Sequence, residues 1–134
     1  AFAPRQNLVF DGALSLVGSA TLEDIAARLS PENPPPALEL AARLRCNLVV
    51  DTSRPYLEDS WQGQRLTLQA GRGTPAELQG LTLLAGGGIG RCAVIDYQPE
   101  TGERTARLLK LLASYRPVNH RGEPTAGIYV QPKG

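Results

Sequence analysis

Three short apolar runs, each closed by an aspartate, constrain the fold of this chain more than any other feature. They are Asn7-Leu8-Val9-Phe10-Asp11, Asn47-Leu48-Val49-Val50-Asp51 and Cys92-Ala93-Val94-Ile95-Asp96. Runs of this length, rich in Val and Ile and flanked by turn formers, read as strands rather than buried helices. The second run follows a helical segment and is uniformly apolar, which predicts a strand covered on both faces.

Helical signals lie between and around these runs. Thr21 reads as an N-cap, and Leu22, Ile25, Ala26 and Leu29 recur at i, i+3, i+4 and i+7, one apolar helix face. Pro31 and the Pro34-Pro35-Pro36 stretch end that helix and make residues 31–36 a stiff connector without N–H donors. Ala37 to Arg45 resumes helical composition, with Arg43 and Arg45 at the favourable C-terminal end. Arg65 to Gln69 alternates as a half-buried strand does. Thr74 followed by Pro75 opens another expected helix. Gly86 to Gly90 reads as a glycine-rich loop. Glu103 to Arg116 reads as a helix, with a competing hairpin that turns near Gly102. Gly127 to Gln131 is a last strand, placed near an edge because Pro132 follows it.

Strand and helix signals therefore alternate, and the expected fold is α/β. It is one domain over residues 1–134 with a mixed sheet in two or three layers and three to four helices. An α+β sandwich is the competing architecture, because residues 62–70 fit an antiparallel addition. A chain of 134 residues with 42% hydrophobic content can bury a core without disulfides or metals. No run is long and apolar enough to span a membrane. A formal net charge of +1, with arginines interleaved with acids, argues against nucleic acid as the partner. The first residue is not methionine, which fits a processed, periplasmic chain as well as a trimmed cytoplasmic one; arginine in excess of lysine suggests a GC-rich, bacterial genome.

The chemistry-bearing residues form no complete motif. If the three runs were parallel strands, Asp11, Asp51 and Asp96 would share a rim and could hold Mg²⁺, with Arg91 as an anion clamp. Turn chemistry alone also explains an aspartate at a strand end. Asp11 and the apolar residues before it superficially resemble the nucleophile loop of haloacid-dehalogenase-type phosphatases. That loop needs two aspartates separated by one residue, so the likeness is set aside. Gly87 and Gly88 would offer backbone N–H groups to a ligand, without the Lys-Ser/Thr of a phosphate-binding loop. His120, the sole histidine, is a candidate acid or base beside Asp51 and Asp96. Trp61 is a candidate ligand cap or a core plug. Cys46 and Cys92 are expected as buried free thiols, a disulfide being the competing reading.

Two functions follow as expectations. The first is a non-catalytic binding or assembly module of a bacterial multiprotein complex, with the envelope as one setting, a protein partner or a second copy of itself, and no cofactor. The second is a small Mg²⁺-dependent enzyme acting on a phosphorylated or nucleotide substrate.

Overall fold

The computed structural model describes residues 14–69, 71 and 76–133. The expected first strand with Asp11, and the helix opening at Thr74-Pro75, lie outside the described residues. Among the described residues the chain forms a mixed five-stranded sheet and three α-helices, an α/β fold as the sequence pattern predicts.

Strand β1, Leu14–Gly18, runs directly into helix α1, Ser19–Leu29. The helix buries Leu22, Ile25 and Ala26, the predicted apolar face. Each such large side chain taken from water contributes roughly 1.5–3 kcal/mol. The helix starts two residues before Thr21, because its first N–H groups are met by distant side chains rather than by a local cap. Gly18 N–H donates to Glu58 Oε2 (2.9 Å) and Ala20 N–H to Thr52 Oγ1 (3.2 Å). Gly18 has to be glycine: a Cβ there would lie 2.6 Å from Thr52 Oγ1 and 2.8 Å from Glu58 Oε1.

The proline connector leads into α2, Ala37–Arg43, whose preceding residue is Pro36. Strand β2, Leu48–Val50, then pairs parallel to β1, so β1, α1, α2 and β2 form a parallel crossover unit. Strands β3 (Arg65–Thr67), β4 (Thr82–Gly90) and β5 (Thr125–Lys133) add antiparallel, giving the order β2-β1-β5-β4-β3. Sequence position misled in two places. Strand β2 is an edge strand with Val49 exposed, not a strand covered on both faces. Strand β5 is the centre of the sheet rather than an edge, and Pro132 is accommodated near its end, opposite Leu83.

Three further expectations are corrected. Gly86 to Gly90 are the second half of β4, not a loop. Their pairing with β5 is irregular: Ala85 faces Val130, Gly88 faces Ile128, and Gly90 faces Thr125. Such register slips bend and twist a strand pair, and glycine permits them. The third apolar run is not a strand. Ala93–Asp96 is a 3-10 helix in which Ile95 joins the helical core and Asp96 is buried. The long helix expected over 103–116 shrinks to α3, Leu108–Ala113. Before it, Tyr97 bridges Arg104 across a turn at Gly102 (φ +73°), so the competing hairpin is partly present.

Two apolar cores result. One joins Val17 and Ala126 of the sheet to α1, α2, α3 and Ile95. The other gathers Leu16, Leu83, Ala85, Ile128 and Val130, with Leu48 and Leu66 of the two edge strands packed against them. Both edges reach one cluster, so the sheet curls around it. Trp61, half-buried at the end of the 3-10 helix Leu57–Trp61, packs on that cluster as a core plug.

Candidate functional site

Most of the polar groups that could carry chemistry are used inside the fold. Asp96 is buried, with Oδ1 accepting from Leu109 N–H (2.8 Å) at the start of α3 and Oδ2 facing Arg104 Nη2 (3.1 Å). Its carbonyl accepts from buried Arg43 (3.1 Å), which also reaches Glu39 and Thr105. Asp96 thus caps a helix and ties α2 to the 3-10 helix. It does not end a strand, as a shared aspartate rim requires. Asp51 does close β2 and is exposed. Asp11 lies outside the described residues, and among these no group of three His, Cys, Asp or Glu is placed to hold a metal ion.

Arg91, expected as an anion clamp, is also internal. Its Nε and Nη2 donate to Ala126 O (2.9 and 2.7 Å), its Nη1 to Leu44 O, and Nη2 lies 3.6 Å from Cys46 Sγ. The guanidinium stitches β5 to the end of α2 through two backbone carbonyls and the Cys46 sulfur. Burial pushes the Cys46 thiol above its usual value, against the pull of Arg91. Both cysteines are free; Cys46 is half-buried, and Cys92 is exposed instead of buried.

Two polar clusters had no signal in the sequence. Glu58 is completely buried at the start of α1, where Oε2 accepts from Gly18 N–H and from the Thr21 hydroxyl (2.7 Å), while Oε1 has no partner among the described residues. Beside it, Tyr56 and Tyr115 share a short hydroxyl contact, and Tyr56 also donates to Asp24 Oδ2 (2.7 Å). Arg116 lies 3.9 Å over the Tyr56 ring and Arg28 the same distance over Tyr115, a pair of cation–π contacts. Burial, then the hydrogen bonds to Tyr115 and Asp24, raises the Tyr56 phenol well above its usual range. Burial raises Tyr115 as well. For Asp24 burial acts upward, but the Tyr56 hydroxyl and Arg28 together hold the carboxyl below its ordinary value.

Among the described residues an open hollow of about 360 Å³ is lined by two of the predicted residues, Gly88 and His120. Tyr129 of β5, exposed, forms one side, and Arg121 lies next to His120. The turn at 119–123 is built by Asn119. Its Oδ1 accepts from Arg121 N–H (2.9 Å) and Glu123 N–H (3.0 Å), and its Nδ2 donates to Glu123 Oε1 (2.9 Å). This turn sits directly on β4: a Cβ on Gly90 would lie 2.2 Å from Asn119 Nδ2 and 2.4 Å from Glu123 Oε1. Gly87 is elsewhere; a Cβ there would lie 3.6 Å from Gln62 Nε2. A second, smaller hollow of about 250 Å³, lined by Leu84 and Gly86, adjoins the same Tyr129.

Comparison with known proteins gives one direction. The chain resembles part of two plant molybdenum cofactor sulfurases. It is 29% identical over 119 residues to the protein of that name from Solanum lycopersicum and 30% identical over 117 residues to that from Oryza sativa subsp. japonica. In each case 84% of this chain is covered but only 13% of the relative, so the chain spans about an eighth of the length of the proteins it matches. No family model matches it. Both relatives are plant proteins, which lends no support to a bacterial or periplasmic origin. Among the described residues no helix is long and apolar enough to cross a membrane.

Proposed function

We propose that this chain is a binding module that works within, or alongside, a larger protein of the molybdenum cofactor sulfurase kind, and is not a catalyst by itself. The observation that carries this reading is the match of most of the chain to a small fraction of two such proteins. The geometry is consistent with it. Asp96, Glu58, Arg91 and Arg43 are buried and bonded to their own fold, as scaffold residues are. The open hollow beside Tyr129 gathers one imidazole, one guanidinium and one carboxylate around glycine backbone, an arrangement suited to holding a ligand.

The carboxylates favour this over Mg²⁺ chemistry. Of the two described aspartates proposed for that chemistry, Asp96 has each carboxylate oxygen engaged by a donor within the fold. Incubating the isolated chain with molybdenum cofactor and a sulfur donor tests the proposal. No sulfurated cofactor is expected; turnover by the chain alone would overturn the reading of a non-catalytic module.

A further inference from the structure

Strand β2, Leu48–Val50, is an edge of the sheet, and among the described residues no strand lies beyond it. One row of its backbone N–H and C=O groups is met by β1, and the other row faces outward. Such edges are commonly blunted by a charge or a proline on the strand. The other edge strand, β3, carries the exposed Arg65, whereas β2 is Leu-Val-Val and carries neither. Leu48 and Val50 pack into the second core, which turns Val49 to the opposite face, where it is 43% exposed.

The edge is held in place at both ends. Asn47 Oδ1 accepts from Ser15 N–H (2.9 Å) and from the Ser15 hydroxyl (3.1 Å). Thr52 N–H donates to Ser19 Oγ (3.2 Å), and Thr52 Oγ1 accepts from Ala20 N–H (3.2 Å). A strand fixed in this way needs little reordering to pair, which lowers the entropic cost of association.

The charges around the strand select its occupant. Exposed Arg45 leads into β2 and exposed Asp51 closes it. Two copies related by a two-fold axis at Val49 run antiparallel, with Val49 opposite Val49 of the second copy and Asn47 opposite its Asp51. The Arg45 end of each copy then lies beside the Asp51 end of the other. Opposite charges across a strand pair add to the pairing, and like charges oppose it. A parallel pairing of the same edges would set Arg45 beside Arg45 and Asp51 beside Asp51. The edge is therefore complementary to itself in the antiparallel sense.

We propose that a second copy of this chain docks on β2, edge to edge and antiparallel, so that two five-stranded sheets become one. The inference rests on this edge alone and does not depend on the match to the sulfurases.

Sedimentation equilibrium of the full chain between about 10 μM and about 1 mM should show a monomer–dimer equilibrium. Amide exchange over residues 47–51 should slow as concentration rises, while that of Arg65–Thr67 on the other edge stays constant. Val49→Lys sets two like charges on the axis and should weaken the dimer at least about tenfold. Val49 is exposed, so the amide spectrum of this variant should keep the native dispersion. Asp51→Arg should weaken the dimer about tenfold as well, and adding Arg45→Asp should restore it. Aspartate accepts the left-handed backbone found at Arg45 (φ 54°), so the exchanged pair should fold. A chain that stays monomeric throughout, its edge left to a strand of another protein, would overturn the proposal. So would a dimer that Val49→Lys leaves intact, or a charge reversal that the second substitution fails to restore.

Discussion

Glu58 is the residue on which the start of α1 depends. It is fully buried, accepts from Gly18 N–H and the Thr21 hydroxyl, and has one oxygen with no partner among the described residues. Removing it leaves two buried donors unmet, and each unmet donor costs about 1–3 kcal/mol. Glu58→Ala should therefore destabilise the fold by roughly 3 kcal/mol in denaturant unfolding, with α1 retained once folded. A loss below about 0.5 kcal/mol would contradict the capping role. Gly90 makes a second residue-scale prediction. A Cβ there collides with Asn119 and Glu123, so Gly90→Ala should cost about 1–3 kcal/mol and displace the 119–123 turn. An unchanged melting temperature with unshifted amides in that turn would show that the turn does not rest on β4. None of this was legible beforehand. Glu58 stands in a polar, irregular stretch where nothing marks one acid as buried, and Asn119 looks like any loop asparagine.

The elements were legible where periodicity extends over several turns or residues. The face of α1 and the strand character of β3 follow from local pattern alone. The third apolar run was not legible, since Ala93-Val94-Ile95-Asp96 has strand composition but is held as a 3-10 helix by tertiary contacts, Ile95 in the helical core and Asp96 on Leu109 N–H. The glycines of β4 likewise read as a loop because glycine weakens a strand locally, while pairing with β5 overrides that preference.

The joint between α1, the segment after β2 and the end of α3 yields the pH predictions. Tyr56 and Tyr115 have raised phenol values in the folded state, so their protonated forms stabilise it. That stability is complete below the unfolded value near 10 and is lost as pH rises beyond it. Asp24 is held below its ordinary value, so its contribution is present above about pH 4 and is lost as pH falls through the folded value. Melting temperature against pH should therefore fall at both ends. Tyr56→Phe should flatten the alkaline limb and Asp24→Asn the acid one, each costing about 1 kcal/mol at neutral pH. Limbs unaltered in these variants would place the pH dependence elsewhere.

For the whole molecule, the α/β class and the mixed sheet followed from alternating strand and helix signals. Strand order did not, because β5 enters the centre of the sheet from the end of the chain. The candidate site was half legible: His120 and Gly88 meet at one hollow, whereas Arg91 and Asp96 became internal ties. The likeness to an eighth of two molybdenum cofactor sulfurases supports the proposed role of a module within a larger protein. Replacing the matching segment of the Solanum lycopersicum protein with this chain tests that claim most directly. The graft should keep measurable sulfurase activity where deletion of the segment abolishes it. A folded graft no more active than the deletion would contradict it.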